Sequence, residues 1–223
     1  MTLTNRLFVC SLFAVGLSAC AEKPKRAGFP NGFAWGAAIS GFQVDMGCPT
    51  LPAAACEDRG SDWYDFITSP ALTDLADVMS GDLPSQGPGH WELFDADFAR
   101  ASSEVGLNSV RFSIEWSRVF PNATDGIEGF DALHAVANAE ALAHYHTMLA
   151  SLKAHGLKPL VTLNHYTLPL WIHDGNMCNE GVVPGSGLSK CIAAGKAGWA
   201  DPNRSRIVNE VAKYAGFLGR AFG

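Results

Sequence analysis

The fold prediction starts from residues 109–116, whose sequence is Ser-Val-Arg-Phe-Ser-Ile-Glu-Trp. Its apolar positions alternate with polar ones and carry β-branched or aromatic side chains, which is typical of a β-strand. A helical pattern precedes it at residues 91–105, with Gly106 as the stop. Another helical pattern follows at residues 131–155, where Asp131 is the expected N-cap. The stretch is therefore predicted to be a strand between two helices.

Two further strands are predicted on either side of this unit. Residues 32–40 are apolar and rich in small side chains, as expected of a strand buried on both faces. Residues 158–164 form the third predicted strand, and a last helix is expected to open at Asp201-Pro202, a favoured order of cap and proline. The alternation of strand and helix predicts an α/β fold with a parallel sheet.

Two long segments rich in glycine and polar residues each follow a strand and precede a helix. They are residues 41–89 and the segment from residue 165 to Gly198. If the sheet closes into a barrel, both segments belong to its C-terminal face, where active sites of such barrels are built. We therefore expect the functional residues there.

Composition indicates a globular chain and excludes one class of partner. The 223 residues are 48% hydrophobic and 17% charged, which is enough for one domain with a core, or two small ones. The net charge of -6 argues against nucleic acid as a partner, because that interaction requires a basic surface.

The N-terminus has the pattern of an export signal. Residues 1–19 contain Arg6, an apolar run and a small-residue end, which is typical of a secretory signal peptide. The segment Leu17-Ser18-Ala19-Cys20 resembles a bacterial lipobox, so Cys20 is expected to carry lipid and residues 20–28 to form a polar tether. The protein is then exported and anchored to a bacterial membrane. The alternative is ordinary signal cleavage that leaves Cys20 as an unmodified thiol.

Four cysteines remain after the signal segment, and an even set in an oxidising compartment indicates disulfides. Four cysteines allow three pairings. We favour Cys48 with Cys56 and Cys178 with Cys191, because each pair lies inside one loop segment. A zinc site is the rival interpretation, but the spacings lack the usual CxxC form, so no metal is expected.

Several motifs, in order along the chain, resemble glycoside hydrolase family 1. They cover nearly everything from Phe29 to Gly223 and comprise residues 33–43 (FAWGAAISGFQ), 87–91 (GPGHW), 111–121 (RFSIEWSRVFP), 161–166 (VTLNHY) and 168–171 (LPLW). The resemblance implies a partial (β/α)8 TIM barrel, of which residues 29–223 form about the first three strand–helix units. It also implies a retaining β-glycosidase that needs no cofactor.

The resemblance locates the chemistry outside this chain. Members of the family use two glutamates, about 5–5.5 Å apart, as nucleophile and acid/base. The acid/base lies in an Asn-Glu-Pro motif at the end of the fourth strand, and the nucleophile lies further on. The sequence ends before that strand, so we expect the fragment to be inactive alone. The alternative is a lipid-anchored protein that binds sugar or another partner without catalysis.

The same resemblance assigns roles to three residues. Gln43 corresponds to the amide that binds hydroxyls of the sugar in the first subsite, and its donors and acceptor suit that task. His165 corresponds to the imidazole that binds a neighbouring hydroxyl, and Arg111 to the arginine that keeps the nucleophile ionised. For Gln43 and His165 a purely structural role is the alternative. Glu115 is interpreted as structural, and the role of Asp45 is left open.

Overall fold

The computed structural model describes residues 28–70, 82–179 and 185–223. The predicted signal peptide, Cys20 and almost all of the predicted tether lie outside the described residues. Residues Ala34–Gly223 form one compact unit. The described residues that precede it contain a turn in which the N–H of Phe33 donates to the carbonyl of Pro30 at 3.0 Å.

Three parallel strands form the sheet, as the sequence predicts. They are β1 (Gly36–Ala38), β2 (Ser109–Ser113) and β3 (Lys158–Thr162), in the order β1-β2-β3. Strand β1 is shorter than predicted, and its residues are exposed. The expectation that it is buried on both faces is therefore wrong for the described chain, because β1 is an edge strand of the described sheet.

The connection from β1 to β2 is a long segment with short helices. Its described helices are α1 (Gly41–Val44), α2 (Ala53–Cys56), α3 (Asp62–Ile67), a 3-10 turn (Pro84–Gln86) and α4 (His90–Ser103). Ser61 caps α3 by accepting a hydrogen bond from the N–H of Trp63. Helix α4 agrees with the helix predicted at residues 91–105.

Between β2 and β3 the predicted single helix at 131–155 is wrong. The chain forms α5 (Trp116–Val119), α6 (Phe130–Val136) and α7 (Ala139–Ala154). Ala137 is extended, with φ -69° and ψ 149°, and Asn138 starts a new helix by accepting from the N–H groups of Glu140 and Ala141. Asp131 lies in the first turn of α6 rather than at its N-cap.

After β3 the described chain forms α8 (Gly175–Cys178), α9 (Leu188–Ala193), a 3-10 turn (Gly198–Ala200) and α10 (Arg204–Phe222). Helix α10 begins later than the predicted Asp201-Pro202 start. Asn203 is the N-cap and accepts from the N–H of Arg206, whereas Asp201 accepts from the N–H of Asn203. Within the described parts of the chain, we find no helix that combines the length and apolar character needed to cross a membrane.

The core lies between one face of β2 and the helices. Val110 and Phe112 of β2, with Ile114 just beyond it, are buried on that face. They belong to one cluster that includes Phe98, Tyr145, Met148, Leu152, Tyr214 and Phe217. Burying each apolar side chain of this size contributes about 1.5–3 kcal/mol. Because side chains alternate along a strand, Arg111 and Ser113 belong to the opposite face of the sheet.

Candidate active site

The candidate residues gather at the carboxyl edge of the sheet. Gln43 lies in α1, five residues past the end of β1, and Glu115 lies two residues past the end of β2. His165 lies three residues past the end of β3. Since the three strands are parallel, the segments that follow them meet at the same edge. This arrangement agrees with the expectation that both long segments belong to one face.

Gln43 is exposed at this edge, and its neighbour orients its side chain. The hydroxyl of Ser40 donates to Oε1 of Gln43 at 2.7 Å. Ser40 itself is extended, and α1 starts immediately after it. The amide is therefore held by its carbonyl end, which leaves the NH2 group directed elsewhere.

His165 occupies a tight turn after β3. Its carbonyl accepts from the N–H of Thr167 at 3.0 Å, and its half-buried ring meets the ring of Tyr166 edge to face at 4.9 Å. Tyr166 has φ 70°, in the left-handed region that a bulky side chain rarely adopts. The turn thus holds an imidazole and a phenol next to each other at the edge of the sheet.

Arg111 lies in the middle of the sheet, in register with Ala38 of β1 and Leu160 of β3. Its Nε is buried and, among the described residues, has no hydrogen-bond partner. Buried donors in folded proteins are nearly always paired. Arg111 therefore has unused capacity for an acceptor, which is what the expected role beside a carboxylate requires.

A set of buried charged residues lies behind the edge, and Glu115 is one of them. Its carboxylate accepts from the hydroxyls of Ser113 and Thr167, and its N–H donates to the oxygen of Tyr145 at 3.0 Å. Burial raises the pKa of Glu115. With both oxygens occupied by protein hydroxyls, Glu115 connects β2 to the turn after β3, which supports the structural interpretation.

Asp45, left without a role by the sequence, is buried in the same set. Its Oδ2 lies 3.7 Å from Nε of Arg118, and burial raises the pKa of Asp45 to about 7 although Arg118 opposes that rise. Burial likewise raises the pKa of Asp58, whose Oδ2 accepts from the hydroxyl of Ser117 at 2.5 Å. The sequence analysis did not identify Arg118 and Asp58 as members of a buried charged cluster. Arg118, a charged residue next to the apolar Val119, was a usable signal for burial.

The packing of this set depends on a glycine. A Cβ on Gly41 would lie 2.6 Å from Cγ of Glu115 and 2.9 Å from Oδ2 of Asp45. These contacts are closer than side chains can accommodate without movement. Glycine at this position therefore allows α1, which carries Gln43, to lie against the buried carboxylates.

One histidine of α7 packs against an aromatic ring of α4. His144 is half-buried and stacks on Trp91 with ring centroids 3.7 Å apart. Burial lowers the pKa of His144 to about 4, so the ring is neutral at physiological pH. Its role is packing.

The structure contains disulfides in both loop segments. Cys48 is joined to Cys56 and Cys178 to Cys191, with Cα separations of 6.0 and 5.0 Å, within the usual range. The first stiffens the loop next to Asp45.

Among the described residues, no cluster of three or more His, Cys, Asp or Glu side chains could hold a metal ion.

The parallel sheet with interleaved helices is consistent with part of an α/β barrel, and polar residues gather at its carboxyl edge. The chain belongs to glycosyl hydrolase family 1, whose family model matches residues 25–184. The resemblance noted in the motifs is thereby confirmed, and with it the partial barrel.

Named relatives agree with this assignment. A β-galactosidase of Pyrococcus woesei is 33% identical over 215 residues, which cover 87% of this chain and 39% of that protein. Beta-glucosidase 25 of Oryza sativa subsp. japonica is 30% identical over 171 residues, covering 76% of this chain and 30% of that protein. The crystal structure of the β-glycosidase from Thermosphaera aggregans matches with a TM-score of 0.73 at 31% identity, covering 87% of this chain and 40% of that one. This chain thus spans well under half the length of its relatives.

Proposed function

We propose that the protein to which this chain contributes is a retaining β-glycosidase acting on β-D-glucosides or β-D-galactosides. The observation that carries the proposal is the family match, since it extends across all three strands and the segments that bear Gln43, Arg111 and His165. The printed names of the relatives, β-galactosidase and β-glucosidase, support this substrate class.

Each of the three residues has a task in this proposal. Gln43 offers amide donors to sugar hydroxyls, and His165 offers a ring nitrogen to the neighbouring hydroxyl. Arg111 sits beside the catalytic nucleophile and keeps that carboxylate ionised, because a nearby opposite charge lowers a carboxylate pKa. In this proposal the two catalytic glutamates belong to the part of the relatives' length that the match to this chain does not cover.

The test compares two proteins on one substrate, an aryl β-glucoside. We expect the product of the whole reading frame to release the aryl group. Residues 1–223 expressed alone should not exceed background, because the carboxylate pair is lacking. Replacing the glutamate of the expected Asn-Glu-Pro motif by glutamine in the whole protein provides the matched inactive control. Clear turnover by residues 1–223 alone would contradict the proposal. Sugar binding by the whole protein without hydrolysis would favour the non-catalytic alternative.

Export and anchoring belong to the same proposal. The apolar run before Leu17-Ser18-Ala19-Cys20 supports lipid attachment at Cys20, and the paired cysteines support an oxidising compartment. The enzyme would then act on glycosides at the cell envelope.

A further inference from the structure

The carboxylate of Glu115 connects the two segments that bear the proposed sugar-binding residues. Its Oε1 accepts from the hydroxyl of Ser113 and its Oε2 from the hydroxyl of Thr167, each at 2.5 Å. All three residues are buried. We call this set (Ser113, Glu115 and Thr167) the carboxylate bridge. Each of its two ends continues by hydrogen bonds into one of the sugar-binding segments.

The Ser113 end of the carboxylate bridge leads to Gln43. The N–H of Gly41, the first residue of α1, donates to Oγ of Ser113 at 2.7 Å. A Cβ on Gly41 would lie 2.7 Å from Oε1 of Glu115, so the backbone of α1 packs directly on the carboxylate. Helix α1 carries Gln43, whose side chain accepts from the hydroxyl of Ser40. The position of Gln43 therefore depends on how the bridge holds the start of α1.

The Thr167 end leads to His165. The N–H of Thr167 donates to the carbonyl of His165 at 3.0 Å, and the carbonyl of Thr167 accepts from Nδ2 of Asn164 at 2.8 Å. Tyr166, which lies between His165 and Thr167, has φ 70°, and strained backbone of this kind persists only where surrounding contacts hold it. The hydroxyl of Thr167 attaches this turn to Glu115 and so to the end of β2.

Glu115 is itself fixed to the core, which makes it a common reference point for both segments. Its N–H donates to the hydroxyl oxygen of Tyr145, on α7, at 3.0 Å, and Tyr145 belongs to the buried core cluster. Both carboxylate oxygens act as acceptors, which is the hydrogen-bonding pattern of the ionised group. Hydrogen bonds to an ionised acceptor are shorter and stronger than those between neutral groups. The bridge is therefore a stiff connection between the core and the carboxyl edge.

We infer that Glu115 is a positioning residue, which sets the separation of Gln43 and His165 through the two ends of the carboxylate bridge. It has no access to the sugar, because its side chain is buried and both oxygens are occupied. A misplacement of about 1 Å in a substrate-binding group can cost about a hundredfold in rate. The inference rests on the proposed function, which assigns Gln43 and His165 to the sugar. A positioning role, unlike a purely structural one, predicts a loss of catalysis beyond the loss of stability.

The test uses double-mutant cycles in the protein from the whole reading frame, with 4-nitrophenyl β-glucoside as the substrate. Thr167→Val removes one hydroxyl, and we expect it to lower kcat/KM at least fivefold. In the His165→Ala background the same change should lower kcat/KM less than twofold, because the residue that Thr167 positions is already missing. In the Gln43→Ala background the fivefold loss should remain. Thr167→Ser, which keeps the hydroxyl, should restore most of the activity.

Ser113→Ala tests the other end in the same way. We expect a loss of at least fivefold in kcat/KM that falls below twofold in the Gln43→Ala background and remains in the His165→Ala background. Glu115→Gln keeps the size of the side chain but offers one acceptor oxygen instead of two. It should also lose at least fivefold, and less than twofold when Gln43 and His165 are both replaced by alanine.

Two buried hydroxyls outside the bridge provide matched controls. Oγ1 of Thr124 donates to Oε2 of Glu210 at 2.6 Å, and Oγ of Ser117 donates to Oδ2 of Asp58 at 2.5 Å. Thr124→Val and Ser117→Ala should cost as much free energy of unfolding in urea as the bridge variants, while lowering kcat/KM less than twofold. Bridge variants that lose no more activity than these controls, or lose equally in every background, would overturn the inference.

Failure of the proposed function is distinguishable from failure of the positioning role. Hydrolysis with additive losses would support the proposed function and overturn the positioning role. If the whole protein does not hydrolyse the substrate, the proposed function is wrong, and the cycles are repeated on the Kd for cellobiose, measured by calorimetric titration. A Kd that rises at least fivefold in Thr167→Val, but less than twofold when His165 is already alanine, would still support the positioning role. Additive changes in Kd, or no binding by the wild type, would overturn it.

Discussion

The guanidinium group of Arg118 lies over the indole ring of Trp91, 3.8 Å from the ring centroid. Its Nη2 also donates to the carbonyl of Cys56 at 2.5 Å. Arg118 therefore connects α5 to α4 and to the disulfide loop after β1. Its Nε lies 3.7 Å from Oδ2 of Asp45, so one side chain offsets buried negative charge and holds three segments together.

Arg118→Met should strongly destabilise the fold. Removing one partner of a buried charged pair leaves the other uncompensated and costs about 3–5 kcal/mol. The measurement is the free energy of unfolding in urea at neutral pH. Arg59→Met is the control: its pair with Glu57 is exposed on the arginine side, so a change within about 0.5 kcal/mol is expected. A loss below about 1 kcal/mol for Arg118→Met, outside the range for buried pairs, would show that this pair is unimportant.

Asp45 should make stability depend on pH. Its pKa is raised from 3.8 to about 7, so between those values the folded protein holds a proton that the unfolded chain has released. Stability from this group is therefore greatest at low pH and decreases as pH rises from about 4 to about 7. Asp45→Asn should reduce that decrease by more than about 1.4 kcal/mol, the equivalent of one pKa unit.

Unfolding in urea at several pH values across this window measures the effect. Asp125→Asn is the control, because Arg206 lowers the pKa of Asp125 and its contribution changes only at lower pH. That variant should follow the wild-type slope. If Asp45→Asn follows the wild-type slope as well, Asp45 does not carry the proton.

The strand β2 and the helix before it could be predicted because period-two alternation and the stop at Gly106 are local signals. The break between α6 and α7 could not, because Leu133, Val136 and Ala137 keep helical spacing up to the break. Only the hydrogen bond from the N–H of Asn138 to the carbonyl of Val119, at 2.9 Å, shows that tertiary contact turns the chain there. Local propensity was overridden by packing.

Gln43→Ala and His165→Ala should impair catalysis in the protein from the whole reading frame. Hydroxyl contacts in glycosidases strengthen in the transition state, so kcat is expected to fall along with kcat/KM, at least tenfold, or about 1.4 kcal/mol. Steady-state hydrolysis of an aryl β-glucoside provides the values. His146→Ala, an exposed histidine of α7, should behave as wild type. Variants as fast as wild type would remove the sugar-binding roles.

The loop disulfides should be present in exported protein. Peptide mapping without reduction should recover Cys48 with Cys56 and Cys178 with Cys191. Replacing Cys178 and Cys191 together by serine should cost about 3 kcal/mol of unfolding free energy, the value of the chain-entropy estimate for a loop of this size. Reduced wild type serves as the control. Crossed pairs in the map would mean that the loops are connected to each other instead.

Lipid attachment at Cys20 has a direct test, although the residue lies outside the described ranges. Metabolic labelling with a fatty acid should mark the wild-type protein and not Cys20→Ser, because the thiol is the attachment point. Cys10→Ser, within the apolar part of the signal segment, should still be labelled. Equal labelling of Cys20→Ser and wild type, or no labelling of either, would contradict lipid attachment at Cys20.

The buried cluster of Asp45, Asp58 and Arg118 could not be predicted from the sequence. Spacing brings neighbouring residues of an element together, but Asp58 and Arg118 are far apart in sequence and meet only when the first loop folds onto the end of β2. The roles proposed for Gln43 and His165, by contrast, come from motifs and need no knowledge of long-range contacts.

Tyr166 has a consequence for how this protein changes over evolutionary time. Its φ of 70° lies in a backbone region that glycine or asparagine adopts with less strain. For other residues this conformation costs about 1–3 kcal/mol. Mutational drift under selection for stability alone would therefore replace the phenol and remove its stacking on Trp63. An aromatic residue retained at this position across diverged lineages would record selection for the ring itself, in opposition to the preference of the backbone.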